Sequence, residues 1–174
     1  MVRKALRLED EASFIMKQMG GPGALLTAVD GAGRTNVMAI GWGLIGRSYH
    51  GHPIFTVAVS PPRYTWRFLE SSGDFVVAVG GDEVSEAIAL CGTKSGREVS
   101  DKFAAAGLTP VRSYHVAAPS IRECRVNVEC RTYHRQHPPH KILTPEHRHR
   151  PVEEQHTIYF AEVLGVYSGQ EEQG

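Results

Sequence analysis

The sequence predicts a mainly β protein, an antiparallel barrel to which a few short helices are added. Short apolar segments recur along the chain, and tight turns containing Gly, Asp or Pro separate several of them. Strands do not alternate regularly with helices, so a doubly wound parallel sheet is not expected. The chain has 174 residues, which favours one domain, 1–174, with one core.

The first elements are predicted to be a short helix and a hairpin. Apolar residues spaced through Glu11–Met19 indicate a helix, which the following Gly-Gly-Pro ends. The segments "ALLTAVD" and "RTNVMAIGW" are predicted strands. The "DGAG" between them is typical of a hairpin turn.

The middle of the chain is predicted to alternate two strands with helices. "PIFTVAVS" and "DFVVAVG" are the strands. Between them, "SPPRYTWRFLESSG" is predicted to be helical, with Ser60 as its N-cap, Tyr64, Phe68 and Leu69 as its buried stripe and Gly73 at its end.

Two further helices and two strands complete the prediction. "DEVSEAIALCG" and "EVSDKFAAAG" read as helices, the first with Val84, Ile88 and Cys91 facing inward. "IRECRVNVECRTY" alternates apolar and polar residues, so we expect one buried and one wet face, with Cys124 and Cys130 on the buried one. "HTIYFAEVLGVY" is the closing strand, after a long polar His- and Pro-rich loop at 134–155.

Composition excludes several classes of function. Lys plus Arg number 19 and Asp plus Glu number 19, so no bulk charge favours nucleic acid or a membrane surface. No apolar run reaches the roughly 18 residues of a membrane span, and the start of the chain does not resemble a signal peptide. The three cysteines form no C-x-x-C motif, which favours a reducing, cytoplasmic compartment.

The histidines of the long loop do not predict a metal site. Their spacing differs from that of structural zinc sites, and Arg and Pro are interleaved with them, as in a solvated loop. The six are His134, His137, His140, His147, His149 and His156. The chain also lacks a G-x-S-x-G elbow, a Walker A sequence and a G-x-G-x-x-G between a strand and a helix.

Three separate segments combine residues that bind anions or stack on flat rings. "RTNVMAIGW" offers an amide and an indole, "SPPRYT" offers hydroxyls and an arginine near a predicted helix start, and "TKSGR" offers cations, hydroxyls and a glycine. A capped helix or a charged turn explains each segment taken singly. Together they carry enough charged and hydroxyl donors to hold a phosphate monoester.

In this order, the segments resemble the flavin reductase-like family, the FMN-binding split barrels that include flavoredoxin. The resemblance runs from about Gly23 to Tyr167 and rests also on "VAVSPPRYTWRFLESSGDFVVAV", "CGTKSGREVSDKFAAAGLTP", "APSIRECRVNVECR" and "HTIYFAEVLGV". It implies a six-stranded antiparallel Greek-key split barrel, a homodimer, and FMN bound near the subunit interface. The chain departs from the family in having Ala161 where a glycine is usual, and in the length of its His-rich loop.

The resemblance also implies which residues contact FMN. The backbone of 36–39 and Trp42 would line the isoalloxazine, while hydroxyls and cations from the other segments would surround the ribityl chain and phosphate. The implied residues are Asn36, Val37, Met38, Ala39, Trp42, Ser60, Arg63, Thr65, Lys94, Ser95, Gly96, Lys102 and His156. No catalytic residue is predicted, because a flavin carries the reaction itself.

Three functions follow as hypotheses. The first is an FMN-dependent oxidoreductase that takes electrons from NAD(P)H or from a protein donor. The second is an electron carrier of the flavoredoxin type without NAD(P)H turnover of its own. The third is a barrel that has lost its flavin, against which Arg63, Lys94 and Ser95 argue.

Overall fold

The protein forms one large antiparallel sheet that curls around a core, and short helices pack against the apolar clusters on both of its faces. The fold comes from a computed structural model, which describes residues 2–147 and 149–171. In chain order the elements are β1 (Arg3–Ala5), α1 (Leu8–Met19), β2 (Ala24–Val29), β3 (Thr35–Ile40), β4 (Gly43–Arg47), β5 (Pro53–Val59), α2 (Trp66–Ser72), β6 (Asp74–Val79), α3 (Ser85–Thr93), α4 (Lys102–Ala105), β7 (Pro110–Val111), β8 (Ser120–Ile121), β9 (Val126–Gln136) and β10 (Thr157–Glu171).

The main sheet has eight strands in the order β3-β2-β6-β9-β10-β5-β4, with β1 paired to β10. All its pairings are antiparallel. The predicted mainly β, antiparallel class is therefore confirmed. The expected number of six strands is too low, because β1 and β4 also join the sheet.

Two apolar clusters lie on opposite sides of the sheet. The first, inside the curl, contains Phe55, Phe75 and Tyr159, and α1 and α2 pack against it. The second contains Leu25 and Ile88 and lies beneath α3 and α4. Every residue of β2 and β6 is buried, because these strands have a cluster on each face.

The predicted wet face of the segment that contains β9 is right at its ends, where Arg125 and Arg131 are exposed, and wrong in its middle. Asn127 and Glu129 are fully buried. The Asn127 side chain accepts a hydrogen bond from Ile121 N at 2.7 Å and donates one to Ile121 O at 3.0 Å. These bonds satisfy the buried amide, so a polar residue can face the second cluster.

The two cysteines of this segment do not share one face. Cys124 lies in the turn before β9 and belongs to the second cluster, whereas Cys130 lies on β9 and belongs to the first. Both are buried and unpaired, as is Cys91. The prediction that Cys124 and Cys130 are core residues is confirmed. The prediction that they share one face of the strand is wrong.

The helix predicted from Ser60 begins later, at Trp66. Two successive turns precede it, closed by bonds from Arg63 N to Ser60 O and from Trp66 N to Arg63 O. Ser60 is therefore not its N-cap. Gly73 does end the helix, in the left-handed conformation with φ of 75° that glycine adopts without strain.

Other boundaries differ from the predictions in detail. α1 begins at Leu8 rather than at Glu11, and α4 covers only the end of its predicted segment. The His-rich loop spans 137–156 with two short 3₁₀ turns, because β9 continues to Gln136. Ala161 is fully buried beside an irregularity in the β9–β10 register.

Candidate functional site

A cavity of about 350 Å³, the central cavity, lies where the end of β3, the turns at 60–65 and the segment after α3 meet. Every residue predicted to contact the cofactor, except Val37, lines it. They are Asn36, Met38, Ala39, Trp42, Ser60, Arg63, Thr65, Lys94, Ser95, Gly96, Lys102 and His156. Three segments separated in sequence are thus brought together in the folded protein.

Val37 is the exception because side chains alternate along a strand. Asn36 and Met38 line the cavity, whereas Val37 is fully buried in the second apolar cluster. Its side chain is therefore not part of the wall. Only its backbone is left as a candidate contact.

Three segments form the walls of the cavity: the first is β3, the second is the pair of turns at 60–65, and the third is the segment after α3. A buried hydrogen bond holds the first wall against the second. Asn36 Nδ2 donates to Thr65 Oγ1 at 2.8 Å, and both residues are buried. The bond joins β3 to the residue at which α2 begins, so the turns at 60–65 are held beside the strand. This explains why Thr65 contributes to the cavity wall rather than capping the helix with its side chain.

The third wall is joined to the second through Arg97. Its Nη1 donates to Pro62 O at 3.1 Å, and its guanidinium lies 5.4 Å from the centre of the Tyr64 ring. Gly96 lies so close to the same ring that an added Cβ would be 2.5 Å from Tyr64 Cδ1 and 2.6 Å from Asn36 Oδ1. Only glycine allows this approach of the third wall to the other two.

The cavity is strongly cationic. Its described lining contains Arg63, Lys94, Arg97 and Lys102 and no Asp or Glu. Within the described part of the chain, the side chains of Arg63 and Lys94 form no ion pair and no hydrogen bond. Two free cations facing one concave surface favour the binding of an anion.

Lys102 also lines the cavity but, unlike those of Arg63 and Lys94, its side chain has a hydrogen-bonding partner among the described residues. It is buried, and its Nζ donates to Cys91 O at 2.9 Å, which links α4 to α3. Burial lowers the pKa of Lys102, and the nearby charge of Arg63 lowers it further. An anion bound beside Lys102 and Arg63 would favour the charged form of Lys102 and so oppose this lowering of its pKa.

His156, just before β10, also lines the cavity. Burial lowers its pKa, and the charges of Arg150, Arg63 and His140 lower it further. The loop holds its backbone in place, because His140 Nε2 donates to His156 O at 2.6 Å. Its imidazole is therefore kept neutral by its surroundings near pH 7.

Some lining residues were not predicted to belong to the site. Tyr64 was assigned to the buried face of a helix, and Arg97 was not among the residues implied to contact FMN. Both line the cavity, together with Pro62, Gly92 and Thr93. The signal for Arg97 was present in "TKSGR", but the double turn that places Tyr64 has no local signature.

The His-rich loop forms no metal centre in the residues that the structure describes: no group of three or more His, Cys, Asp or Glu is placed to hold an ion. In those same residues, no helix is long and apolar enough to cross a membrane.

Comparison with known proteins identifies the family. The flavin reductase like domain matches residues 16–174. The chain belongs to this family. An uncharacterised protein of Archaeoglobus fulgidus is 32% identical over 141 residues, which is 81% of this chain and 70% of that protein.

Solved structures of flavin reductase-like proteins share the fold. Flavoredoxin of Desulfovibrio vulgaris is 27% identical with a TM-score of 0.66, over 84% of this chain and 69% of that one. An FMN-binding domain of a flavin reductase-like enzyme from Shewanella baltica is 20% identical with a TM-score of 0.67, over 97% and 80%. The resemblance deduced from the sequence is therefore confirmed, as is the split-barrel fold.

Proposed function

We propose that this flavin reductase-like protein binds FMN in the central cavity and acts as an oxidoreductase that passes electrons from NAD(P)H through the flavin. The observation that carries the proposal is the pair of unpartnered cations, Arg63 and Lys94, in a cavity whose described lining contains no carboxylate. The family assignment and the flavoredoxin likeness support FMN as the anion.

The residues present fit FMN. Arg63, Lys94, Ser60 and Ser95 supply cationic and hydroxyl donors suited to a phosphate monoester. Met38 and Trp42 supply an apolar and an aromatic surface suited to a flat ring system. The cavity volume of about 350 Å³ is within the range typical of cofactor sites.

FMN, when bound, supplies the redox chemistry itself, since the protein contributes position and electrostatics. In this chain Arg63 and Lys94 would hold the phosphate end of FMN. The Asn36–Thr65 bond and Gly96 keep the walls at a constant separation. Because the flavin would carry the reaction, the site needs no nucleophile and no paired acid and base.

A carrier of the flavoredoxin type is the second candidate. The likeness to flavoredoxin of Desulfovibrio vulgaris, at 27% identity, favours it. Such a protein would hold FMN in the same cavity but would exchange electrons with a protein donor and acceptor. The two functions differ in NAD(P)H turnover and not in the binding of FMN.

A homodimer in a reducing cytoplasm completes the proposal. Trp42, which lines the cavity, and Leu44 are 45% and 57% exposed, and burial of both against a second subunit would remove them from water. All three cysteines are free thiols, as a reducing compartment would keep them.

Absorbance and fluorescence test the function. We expect the purified protein to be yellow, or to quench FMN fluorescence with a dissociation constant of about 1 μM or lower. A colourless protein that leaves FMN fluorescence unchanged would contradict both candidates. NADH and NADPH oxidation with FMN present then separates them: a rate above that of free flavin supports the oxidoreductase, and a rate no greater than free flavin supports the carrier.

A further inference from the structure

A second cavity adjoins the central one. It has a volume of about 260 Å³ and shares Trp42, Ala58 and His156 with the central cavity. Its remaining wall comes from the start of β10 and from the His-rich loop. A molecule held there would therefore border directly on whatever occupies the central cavity.

The lining of this second cavity combines an apolar surface with positive charge. Ile142, Ile158 and Trp42 form the apolar part. Arg150 supplies a cation, and no carboxylate occurs among its described lining residues. The guanidinium of Arg150 forms no ion pair within the ranges 2–147 and 149–171.

Arg150 lies close enough to His156 for its charge to act on that imidazole, in addition to the larger effect of burial. That charge is one of those that lower the pKa of His156, a residue common to both cavities. A neutral His156 can accept or donate a hydrogen bond without adding a competing charge. The lining of the second cavity thus includes both a flat aromatic side chain, Trp42, and an exposed guanidinium, that of Arg150, which has no ion-pair partner among the described residues.

We propose that the second cavity binds the organic substrate of the enzyme, and that this substrate is a small aromatic carboxylate. The anionic group would pair with Arg150, and the ring would lie against Trp42 and the two isoleucines. The volume is below the 300–1,000 Å³ typical of sites for drug-sized ligands, so it suits a single substituted ring and not a whole dinucleotide. The inference rests on the proposed function, because the cavity is a substrate site only if flavin occupies its neighbour.

Calorimetric titration with benzoate and with benzamide, its neutral analogue of the same size, tests the proposal. Both are titrated into FMN-loaded protein and into protein without FMN. We expect benzoate to bind at least about tenfold more tightly than benzamide, because only the carboxylate makes a charge-assisted contact. We expect Arg150→Gln to abolish this preference while it leaves FMN affinity unchanged.

Arg7→Gln is the matched control, since Arg7 is an exposed arginine on none of the cavity walls. This variant should keep the preference for benzoate. Equal affinities for the two compounds, no binding of either, or a preference that survives Arg150→Gln would overturn the proposal. Because FMN binding is measured separately by fluorescence quenching, a failure of the cofactor proposal is distinguished from a failure of the carboxylate site.

Discussion

At the scale of single residues, a cationic side chain is available to a ligand only if it is not already paired with a carboxylate. Arg34, Arg47 and Arg131 are paired with carboxylates and are therefore occupied. Arg63 and Lys94 have no such partner among the described residues and face the same cavity. Their charges are available to a ligand without first breaking an ion pair.

Replacement of either cation should weaken the binding of FMN selectively. We expect Arg63→Ala and Lys94→Ala each to lower FMN affinity by about tenfold or more, because each removes one charge-assisted contact to phosphate. Riboflavin has the same ring but no phosphate, so its affinity should change much less. Fluorescence quenching with both ligands measures the difference.

Arg67→Ala is the control for this pair. Arg67 is also exposed and lies 4.6 Å from the centre of the Tyr64 ring, but it does not line the cavity. Its replacement should leave both affinities unchanged. Equal losses for FMN and riboflavin in the Arg63 and Lys94 variants would show that neither residue contacts the phosphate.

Most of the candidate site could be deduced from the sequence, because its residues occur in three short segments with a recognisable order. What could not be deduced is how each segment bends. Tyr64 was expected on a helix face, whereas two turns before α2 bring it against Gly96. The contact is between residues 32 positions apart, so no local pattern reports it.

At the scale of elements, the short strand β1 is held to the sheet by a buried ion pair. Arg3 Nη2 lies 3.3 Å from Glu129 Oε1, with both side chains almost fully buried. Glu129 also accepts hydrogen bonds from Tyr114 N and from His115 N, the latter at 2.7 Å. The carboxylate on the expected wet face of β9 is thus buried and satisfied.

Loss of Arg3 should destabilise the protein strongly. We expect Arg3→Met to lower the free energy of unfolding by about 3 kcal/mol, because it leaves a buried carboxylate without its counter-charge. Lys4→Met, at the exposed neighbouring position on β1, should change it by less than about 0.5 kcal/mol. Urea denaturation measures both. Equal effects of the two substitutions would mean that the ion pair contributes nothing.

Two strands of the main sheet, β1 and β4, escaped prediction. β1 has three residues and β4 contains two glycines in five, so neither shows a periodic pattern. Each becomes a strand because a longer neighbour, β10 or β5, offers it hydrogen-bonding partners. The long alternating or apolar strands were predicted correctly, since burial sets their pattern directly.

At the scale of the whole molecule, the order of strands leaves β4 at one end of the sheet. Leu44 on this strand is exposed, as is Trp42 just before the strand, which lines the central cavity. An exposed strand with apolar side chains is a natural surface for pairing with a second copy. The proposed homodimer and the proposed cofactor site therefore involve the same region.

A charge on β4 should separate the subunits. We expect Leu44→Arg to convert a dimer into a monomer, measured by sedimentation velocity, and to weaken FMN binding at the same time. Tyr133→Arg, at an aromatic residue that is 55% exposed on β9, should leave the dimer intact. A wild-type protein that sediments as a monomer would contradict the proposed assembly, as would a Leu44→Arg variant that remains dimeric.

The attachment of the His-rich loop has a consequence for how this protein can diversify. The β9–β10 ladder closes at the pair of Gln136 and Ile158, so the loop at 137–156 follows the last paired residues and contributes none itself. Of its residues that the structure describes, only His156 reaches the wall of the central cavity, whereas several line the second one. Apart from His156, the loop can therefore change in length and chemistry, and with it the proposed choice of organic substrate, while the strands and the rest of the proposed cofactor site stay unchanged.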